Sequence, residues 1–383
     1  MNCKKSLKLH QKKGGKLEIK SKFKLKNRED LSLAYTPCVA EVCKVIAEDK
    51  KRARKYTIKK NTVAVVSNGS AVLGLGNIGP EAAIPVMEGK AILFKELAGI
   101  DAFPICLDTN NPVEIIKTVK TIAPVFGGIN LEDIAAPDCF FIEEQLQDIG
   151  IPVMHDDQHG TAVVLTATLI NALKITKKKV TSLKIVIVGA GAAGVAITKM
   201  LSREFDLEDI VVCDSRGIIS KNRKDLNQIK KRLLKITNKK NIRGKMEDAL
   251  VGADVFIGVS IGNILKPEMI KKMNSNPIIF AMANPVPEIM PDLAKKAGAI
   301  IVGTGRSDFP NQINNVLVFP GIFRGALDGG FTKITDKMKS ITAKTIADYV
   351  KHPTPNKILP NPLDKNVAKI IAKNIMKMRY SNK

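Results

Sequence analysis

The chain has 383 residues, of which 45% are hydrophobic and 26% charged, and these proportions are those of a globular protein. They exclude a collagen-like or wholly disordered chain, and the length predicts two domains. Only 4% of the residues are aromatic and none is tryptophan. The cores must therefore be built from Ile, Val, Leu and Ala, as is typical of parallel strands covered by helices.

The net charge of +24 is concentrated in two segments. Residues 1–60 contain 19 Lys and Arg against 6 Asp and Glu, and residues 221–245 contain 11 against 1. Residues 61–160, in contrast, contain 4 against 14. Neither basic segment has the run of aromatic side chains on which nucleic-acid bases stack. We therefore expect solvated lysine-rich surfaces and no nucleic-acid partner.

The sequence has no segment typical of a membrane span or a secretory signal. Its most apolar stretch, 185–201, contains three glycines and a lysine, and no apolar run follows the basic N-terminus. The six cysteines are scattered without a C-x-x-C pair, which predicts reduced thiols rather than disulfides or a zinc site. These features predict a cytoplasmic protein with no membrane partner.

The first part of the chain alternates between strand and helix signals. The lysine-rich arm 1–30 includes the weakly alternating LEIKSKFKLK, which predicts an edge strand, and 31–60 has a helical pattern. NTVAVVSNGSAVLG predicts two strands joined as a hairpin at Asn68-Gly69. EAAIPVMEGKAILFKELAG predicts a helix interrupted at Pro85, and the strand AFPICLD and another helix follow.

The second part has the pattern of a doubly wound sheet. After the helix GTAVVLTATLINALKI, the apolar strand LKIVIVG and the strands DIVVCD, ADVFIGVS, PIIFAMANP and AIIVGTG alternate with helical or basic stretches. This alternation predicts an α/β fold whose C-terminal half is a Rossmann-type, doubly wound parallel sheet. We place the domain boundary near residue 160, with an N-terminal α/β domain over 1–160. The Rossmann domain and a helical tail then occupy 161–383.

A dinucleotide-binding fingerprint follows the first strand of the second part. This G-x-G-x-x-G sequence opens a helix and comprises Gly189, Ala190, Gly191, Ala192, Ala193 and Gly194. The glycines permit a tight turn and a close approach of the pyrophosphate to the helix N-terminus. Asp214 ends the next strand and favours NAD by accepting a ribose hydroxyl, but Arg216, Lys221 and Arg223 can accommodate the 2′-phosphate of NADP. The sequence therefore leaves the choice between NAD and NADP open.

A second G-x-G-x-x-G sequence occupies residues 74–79, and Asp101 lies 22 residues beyond it. The strand before it belongs to the predicted hairpin, and Pro80 and Pro85 interrupt the helix after it. We therefore favour a tight turn that holds the backbone near a ligand or at a hinge.

Acidic residues are grouped in two short motifs, GGINLEDI and HDDQHG, and they are Glu132, Asp133, Asp156 and Asp157. A site in which three such carboxylates act as hard oxygen donors favours Mg²⁺ or Mn²⁺ over Zn²⁺. Helix capping and surface charge are one alternative interpretation. Another is a zinc site formed by His155 and His159, four residues apart, with an acid.

These motifs lie in longer strings that resemble the short, bacterial-type malic enzymes. The strings are LSLAYTP, VAEVCK, NTVAVVSNG, AVLGLGNIGPEAAIPVMEGKA, FKELAGIDAFPICLDT, FGGINLEDI, PVMHDDQHGTA, GAGAAG, ANPVPE and NQINNVLVFPG. The similarity runs from about residue 10 to at least residue 350.

The resemblance implies oxidative decarboxylation of (S)-malate to pyruvate and CO₂, with NAD or NADP and with Mg²⁺ or Mn²⁺ as cofactors. It also implies decarboxylation of oxaloacetate, substrate and metal binding in the N-terminal domain, and a homodimer. A malolactic-type decarboxylation and a metal-free amino-acid dehydrogenase are the alternative activities.

The resemblance also implies roles for residues at the matching positions. Lys90 is the expected general base, Tyr35 the general acid, and Asp156 the neighbour that tunes Lys90. The expected metal ligands are Glu132, Asp133 and Asp157. The expected substrate contacts are Lys90, Asn284, Asn314 and Asn315, and Asn284 is also expected to contact the coenzyme.

One position departs from the family pattern. The family usually has Gly after Tyr-Thr-Pro, whereas this chain has Cys38. If φ is positive there, Cys38 is strained and tilts Tyr35, but at a helix start a cysteine is harmless.

Overall fold

The computed structural model describes residues 4–72 and 74–379, which form two sheets surrounded by helices. The helices are α1 (Lys4–Lys13), α2 (Arg28–Ala34), α3 (Val39–Glu48), α4 (Ala53–Tyr56), α5 (Pro80–Ala98), α6 (Pro112–Ile122), α7 (Asp138–Leu146), α8 (Asp156–Thr176), α9 (Ala192–Glu204), α10 (Gln228–Leu233), α11 (Met246–Leu250), α12 (Pro267–Ile270), α13 (Pro291–Lys296), α14 (Phe319–Gly329), α15 (Asp336–Tyr349) and α16 (Lys365–Lys377). The strands are β1 (Thr62–Ser67), β2 (Asp101–Cys106), β3 (Gly128–Leu131), β4 (Val153–His155), β5 (Lys184–Val188), β6 (Asp209–Asp214), β7 (Gly217–Ile218), β8 (Val255–Gly258), β9 (Ile278–Ala281) and β10 (Ile301–Thr304). None of the helices in the described ranges is both long and apolar enough to cross a membrane.

The first sheet has the strand order β2-β1-β3-β4, and all its pairs are parallel. All residues of β1 are buried, because both faces of the sheet are covered. Val63 and Val65 face the core that contains residues of α5, whereas Ala64 and Val66 face the core beneath α6 and α7. This burial explains the continuous apolar run of β1.

The predicted hairpin after β1 was wrong. Beyond Ser67 the chain turns at Gly69, where φ is +69° and an added Cβ would lie 2.1 Å from the carbonyl oxygen of Gly79. Only glycine fits such a turn. The Asn-Gly pair therefore closes a loop against the start of α5, and the neighbours of β1 are the distant strands β2 and β3.

The predicted interruption of α5 was also wrong, because α5 is one helix of 19 residues with Pro85 inside it. A proline in a helix interior costs about 3 kcal/mol. Pro85 is exposed, however, while Met87, Lys90 and Phe94 lie on the buried face. Burial of several large side chains on that face outweighs the local cost.

Residues 4–61, which we call the N-terminal arm, contain no strand, in contrast to the edge strand predicted within residues 1–30. Residues 14–27 are irregular, and α1 to α4 account for most of the rest of the arm. No residue from 4 to 61 is buried. The exposed apolar side chains of this arm include Leu31, Leu33 and Tyr35. In the described part of a single chain, these side chains stay exposed.

The second sheet has the order β10-β9-β8-β5-β6-β7, and all its pairs are parallel except that of β6 with the short β7. Side chains of β5 point alternately into two cores, with Ile185 and Ile187 in one and Val186 and Val188 in the other. The predicted Rossmann-type sheet, and with it the α/β fold class, is confirmed.

Helix α8 connects the two sheets. It begins directly after β4, continues for 21 residues, and packs against α9 and α15. The proposed boundary at residue 160 falls inside this helix, and the division into two domains there stays a prediction. The C-terminal helices also return to the first half, since the ring of Phe94 on α5 lies 4.7 Å from that of Phe319 on α14.

Candidate active site

Four acidic side chains meet where β3 and β4 end. Glu132 and Asp133 follow β3, and Asp156 and Asp157 form the first turn of α8 directly after β4. Because β3 and β4 are parallel neighbours, their carboxyl ends lie at the same edge of the sheet. The backbone N–H of Asp133 donates to Oδ2 of Asp157 at 2.8 Å. The structure thus brings together the two acidic motifs that the sequence separates by about twenty residues.

Three of these acids fit a hard divalent cation. One carboxylate oxygen from each of Glu132, Asp133 and Asp157 lies within 4.8 Å of the other two. Oδ2 of Asp133 is buried and has no hydrogen-bond partner among the described residues. A buried oxygen without a partner is costly, and a cation would satisfy it. Three oxygen ligands without a thiol or imidazole match Mg²⁺ or Mn²⁺.

Burial and mutual repulsion raise the pKa of these acids. For Asp133, burial is the main cause and the carboxylates of Asp157 and Glu132 add to it. Burial likewise raises the pKa of Glu132 and of Asp157, although Lys90 opposes both shifts. The pKa of Asp156 rises to about 7, again chiefly through burial. The cluster therefore has a deficit of positive charge.

Lys90 lies on the buried face of α5 and points into this cluster. Its Nζ is 2.7 Å from Oε1 of Glu132 and 2.5 Å from Oδ2 of Asp156. Burial by itself lowers the pKa of Lys90, but the carboxylates of Asp156 and Glu132 outweigh it, and the pKa rises above its ordinary value. Asp156 thus contacts Lys90 directly.

Two residues of the site were not predicted from the sequence. Phe319, at the start of α14, places its ring centroid 4.1 Å from Nζ of Lys90. Asn130 donates from Nδ2 to Oε2 of Glu132 at 2.8 Å. The amide of Asn130 stands in the otherwise apolar strand GINL, and a polar residue in a buried strand was the available signal. Phe319 gave no signal, because a buried phenylalanine is usually core.

A cleft of about 1020 Å³ extends from the acids to the coenzyme loop. Its lining includes, from the first half, Lys90, Glu132, Asp133 and Asp157. From the second half it includes Gly191, Ala192, Ala193, Asn284, Asn314 and Asn315. Most of the predicted site residues therefore share one cleft between the two sheets.

The glycine-rich loop between β5 and α9 has the geometry that its fingerprint predicts. Gly189 has a φ of +114°, and an added Cβ would lie 2.4 Å from the carbonyl oxygen of Val259. At Gly194 an added Cβ would lie 1.7 Å from the carbonyl oxygen of Gly189. Nothing lies within 4 Å of such a Cβ at Gly191, which leaves the N-terminus of α9 open to a ligand.

Asp214 ends β6 as predicted, but its carboxylate is already engaged. Arg223 donates to both oxygens, at 2.7 and 3.1 Å, and Nζ of Lys230 donates at 2.7 Å. Burial raises the pKa of Asp214, whereas the hydrogen bonds from Arg223 and Lys230 outweigh it and hold the pKa below its usual range. Lys230 was not among the basic residues considered for this position.

The second glycine motif forms a turn next to the cleft. Gly74 has a φ of +74°, and an added Cβ would lie 2.3 Å from the carbonyl oxygen of Asn284. The loop therefore packs on the backbone beside a predicted substrate contact. Asn314, also in the cleft, accepts the N–H of Val316 at 2.9 Å, which leaves its amide N–H groups available.

Tyr35 does not lie in this cleft within a single chain. It follows α2 in the N-terminal arm, and 68% of its surface is exposed. Cys38 has a φ of −68° and precedes α3, so this is the harmless helix start and no strain arises. Strain at Cys38 therefore does not explain why Tyr35 lies outside the cleft.

His155 and His159 do not form a zinc site with an acid. Burial lowers the pKa of His155 to about 4. His159 instead contacts Oε2 of Glu143 at 2.9 Å. Within the described residues, the candidate metal group consists of Glu132, Asp133 and Asp157 alone.

Two protein-family models match the chain. The malic enzyme NAD-binding domain matches residues 158–380, and the malic enzyme N-terminal domain matches residues 14–114. The chain belongs to the malic enzyme family. The reaction of this family is the oxidative decarboxylation of malate with a nicotinamide coenzyme.

Among the relatives similar to this malic enzyme, some are named NAD-dependent and others NADP-dependent. The bifunctional malic/malolactic enzyme of Bacillus subtilis is 56% identical over 97% of this chain and 92% of its own length. The NAD-dependent malic enzyme of Geobacillus stearothermophilus is 54% identical over 96% of this chain and 77% of its own length. The NADP-dependent malic enzyme of Escherichia coli is 48% identical over 87% of this chain, which spans 44% of that longer relative.

Solved structures of malic enzymes have the same fold. The NAD-dependent malic enzyme of Thermotoga maritima superimposes with a TM-score of 0.94 at 51% identity, over 97% of this chain and 98% of the other. The malic enzyme of Pyrococcus horikoshii gives a TM-score of 0.92 at 47% identity, over 100% and 91%.

Proposed function

We propose that this malic enzyme converts (S)-malate to pyruvate and CO₂, with reduction of NAD(P)⁺, in the cleft between its two sheets. The observation that carries this proposal is the single cleft lined by Lys90, the three acids and the start of α9. A coenzyme bound in this cleft would supply the hydride acceptor, and the loop at Gly191 would hold its pyrophosphate.

Glu132, Asp133 and Asp157 would hold Mg²⁺ or Mn²⁺. A cation bound there supplies positive charge that polarises a substrate oxygen and lowers the pKa of the nearby Lys90 amine. The orphaned Oδ2 of Asp133 and the surplus of negative charge support this assignment.

Lys90 accepts the proton of the C2 hydroxyl in this proposal. Asp156 fixes its amine by a direct hydrogen bond, and Phe319 excludes water from one side. Asn284, Asn314 and Asn315 line the same cleft and offer amide groups for the substrate carboxylates and the nicotinamide. Enzymes that form oxaloacetate in this way are also expected to decarboxylate added oxaloacetate.

We further propose that the enzyme is a homodimer in which Tyr35 of one protomer serves the cleft of its partner. Tyr35 stands exposed in an arm that has no buried residue from 4 to 61, and the described residues that line the cleft of its own chain include no tyrosine. Burial of the arm against a second copy removes its apolar side chains from water. The general acid for C3 of enolpyruvate then arrives from that copy.

The proposed location is the cytoplasm. The cysteines at 38, 43, 106, 139 and 213 are all free thiols, and a reducing compartment keeps thiols in that state.

A malolactic reaction is the second candidate function, because the relative in Bacillus subtilis is named a bifunctional malic/malolactic enzyme. It would release lactate without free NAD(P)H. The family assignment leaves no support for a metal-free amino-acid dehydrogenase or a nucleic-acid binder.

One assay tests these proposals. The purified chain is given malate with NAD⁺ or NADP⁺, with Mn²⁺ or with EDTA, and pyruvate, lactate and NAD(P)H are measured. We expect pyruvate and NAD(P)H in equal amounts, and loss of both in EDTA. Lactate without NAD(P)H would instead support the malolactic reaction, and full activity in EDTA would exclude the metal site.

The matched variants lie on one helix. Lys90→Ala should lower malate oxidation by about 10²- to 10⁴-fold, the range of a lost general base. Lys95→Ala, an exposed lysine of α5 outside the cleft, should leave it unchanged. Normal turnover of a folded Lys90→Ala enzyme would contradict the role of Lys90.

A further inference from the structure

A second, smaller cavity lies between α8, α9 and α15. Its volume is about 270 Å³, and among the described residues it shares no lining residue with the active-site cleft. Ligand pockets for drug-sized molecules measure roughly 300–1,000 Å³, so this cavity suits something smaller.

Cationic side chains outnumber carboxylates in the lining. Lys199, Arg203 and Lys339 face the cavity, with Asp336 as the single carboxylate among the described lining residues. Asp336 is shared, because it lies 2.7 Å from Nη1 of Arg203 and 3.2 Å from Nζ of Lys339. Lys199 has no ion-pair partner among the described residues. The lining therefore holds an excess of positive charge.

Two acids just outside the lining reduce this excess, and Lys199 is the cation of the lining that keeps no carboxylate partner among the described residues. Glu143 contacts the ring of His159 at 2.9 Å. Glu204 accepts the hydroxyl of Ser340 and pairs with Arg203 at 3.2 Å. Neither carboxylate lines the cavity.

An unpartnered amide provides an independent sign of a ligand. Gln158 also lines the cavity, is 4% exposed, and has a buried Nε2 without a hydrogen-bond partner among the described residues. Buried donors of this kind are normally satisfied by protein, water or a ligand. Together with the lysines and the arginine, Gln158 offers N–H donors, and oxyanions accept such donors most strongly.

We propose that this cavity binds a small oxyanion, a carboxylate or a phosphate, and that the bound anion changes the affinity of the neighbouring cleft for malate. Gln158 follows Asp157 directly in the first turn of α8, so one rigid turn faces the metal group on one side and the cavity on the other. An anion that fixes Gln158 also fixes Asp157, which couples the two sites. The second clause of the proposal rests on the proposed function, whereas the first does not.

Binding is measured by isothermal titration of the full chain with inorganic phosphate and, separately, with succinate, at constant ionic strength. Each titration is repeated with Lys90→Ala, which alters the cleft only. We expect one of the two anions to bind saturably, with an affinity that Lys90→Ala leaves unchanged. Phosphate alone would indicate a phosphate ligand, and succinate alone a carboxylate. Saturable binding of neither anion would overturn the proposal.

The double variant Lys199→Gln/Arg203→Gln should weaken this binding at least about tenfold, since it removes two charge-assisted donors. Lys337→Gln/Lys344→Gln is the matched control, because it removes two exposed charges of α15 that do not line the cavity. Equal weakening in both variants would reduce the effect to general charge and contradict a site.

The kinetic measurement is the KM for malate with and without the anion. It should change in the unmodified enzyme and in the control, and stay constant in Lys199→Gln/Arg203→Gln. Binding without any change in KM would overturn the coupling, while an enzyme inactive on malate would contradict the proposed function and leave the binding result standing.

Discussion

Lys90 shows how strongly neighbours control one buried amine. Its Nζ contacts carboxylates of Glu132 and Asp156 on one side and the ring of Phe319 on the other. These carboxylates raise its pKa, although a general base must be neutral to act. Any change that removes negative charge next to Lys90 should therefore make the base available at lower pH.

Asp156→Asn tests this relation. The amide keeps the shape of the carboxylate but loses its charge, so the pKa of Lys90 should fall. Because activity rises with pH as Lys90 loses its proton, the acidic limb of the kcat profile should move to lower pH by about one unit or more. The exposed Asp138→Asn is the control and should leave the limb in place. A limb that moves to higher pH would contradict the relation.

Asp214→Ala tests the choice of coenzyme. Without this carboxylate, Lys230 loses its ion-pair partner and Arg223 keeps only the pair with Asp225, so both have donors available for the 2′-phosphate of NADP. The ratio of kcat/KM for NADP⁺ over NAD⁺ should rise about tenfold, which corresponds to one charge-assisted contact. Steady-state kinetics with both coenzymes measure it. Glu208→Ala, an exposed acid of the same half, should not change the ratio; a fall in the ratio for Asp214→Ala would be the opposite result.

For individual residues, the sequence predicts the chemistry of the site better than it predicts where each side chain lies. Donor type and grouping left a hard cation and surface charge both open, the family resemblance selected Glu132, Asp133 and Asp157, and the structure groups those three. Lys90 was different, since a single lysine has no local signal and only the family resemblance selected it. Tyr35 was assigned in the same way, yet its exposure depends on what lies outside one chain.

The packing of α14 on α16 shows a constraint between elements. An added Cβ at Gly321 or Gly325 of α14 would lie 2.8 Å from the Cβ of Ile371 or Ile375 of α16, respectively. Such distances are too short for two non-bonded carbon atoms, so the helices approach this closely only because both positions are glycine. Helix α14 also places Phe319 beside Lys90.

Gly325→Ala should therefore lower stability, by about 1–3 kcal/mol for overpacking. Gly89→Ala on α5 is the matched substitution, because the nearest atom to its added Cβ is Nζ of Lys16 at 3.5 Å. It should be neutral or slightly stabilising, since alanine favours a helix. Thermal unfolding compares the two, and equal melting temperatures would refute the packing argument.

Elements were predictable where local pattern and tertiary packing agree. The glycine fingerprint and the buried strand β5 are adjacent in sequence, so their type and role were clear. The hairpin at Asn68-Gly69 was not, because a turn signal does not say which strand follows. Pro85 suggested a break in α5, but the burial of one face of this helix keeps it continuous through the proline.

The uncovered arm and the basic segments concern the molecule as a whole. Large apolar side chains are exposed along residues 7–58, the same part of the chain that carries much of the positive charge. A dimer that buries the apolar side chains and leaves the lysines in water would account for both the exposed apolar surface and the positive charge of this segment.

Mixing two inactive variants tests this arrangement. Lys90→Ala and Tyr35→Phe are each unfolded and refolded together, or coexpressed, and pyruvate formation is measured. If Tyr35 serves its partner's cleft, each mixed dimer has one intact site and activity recovers to about a quarter of the unmodified enzyme. If Tyr35 serves its own chain, no mixed site is intact and the mixture shows only the sum of the two variants. Leu33→Glu should in addition yield monomers by light scattering.

Helix α8 restricts how the cleft can change its width. Its first turn is joined to β4 without a loop, and the helix packs against α9 of the coenzyme-binding half. A bend near residue 160 would break backbone hydrogen bonds inside this helix, which is costly. A change in the width of the cleft should therefore carry α8 along as one rigid helix, with the displacement taken up between α8 and the helices packed on it rather than by a bend near residue 160.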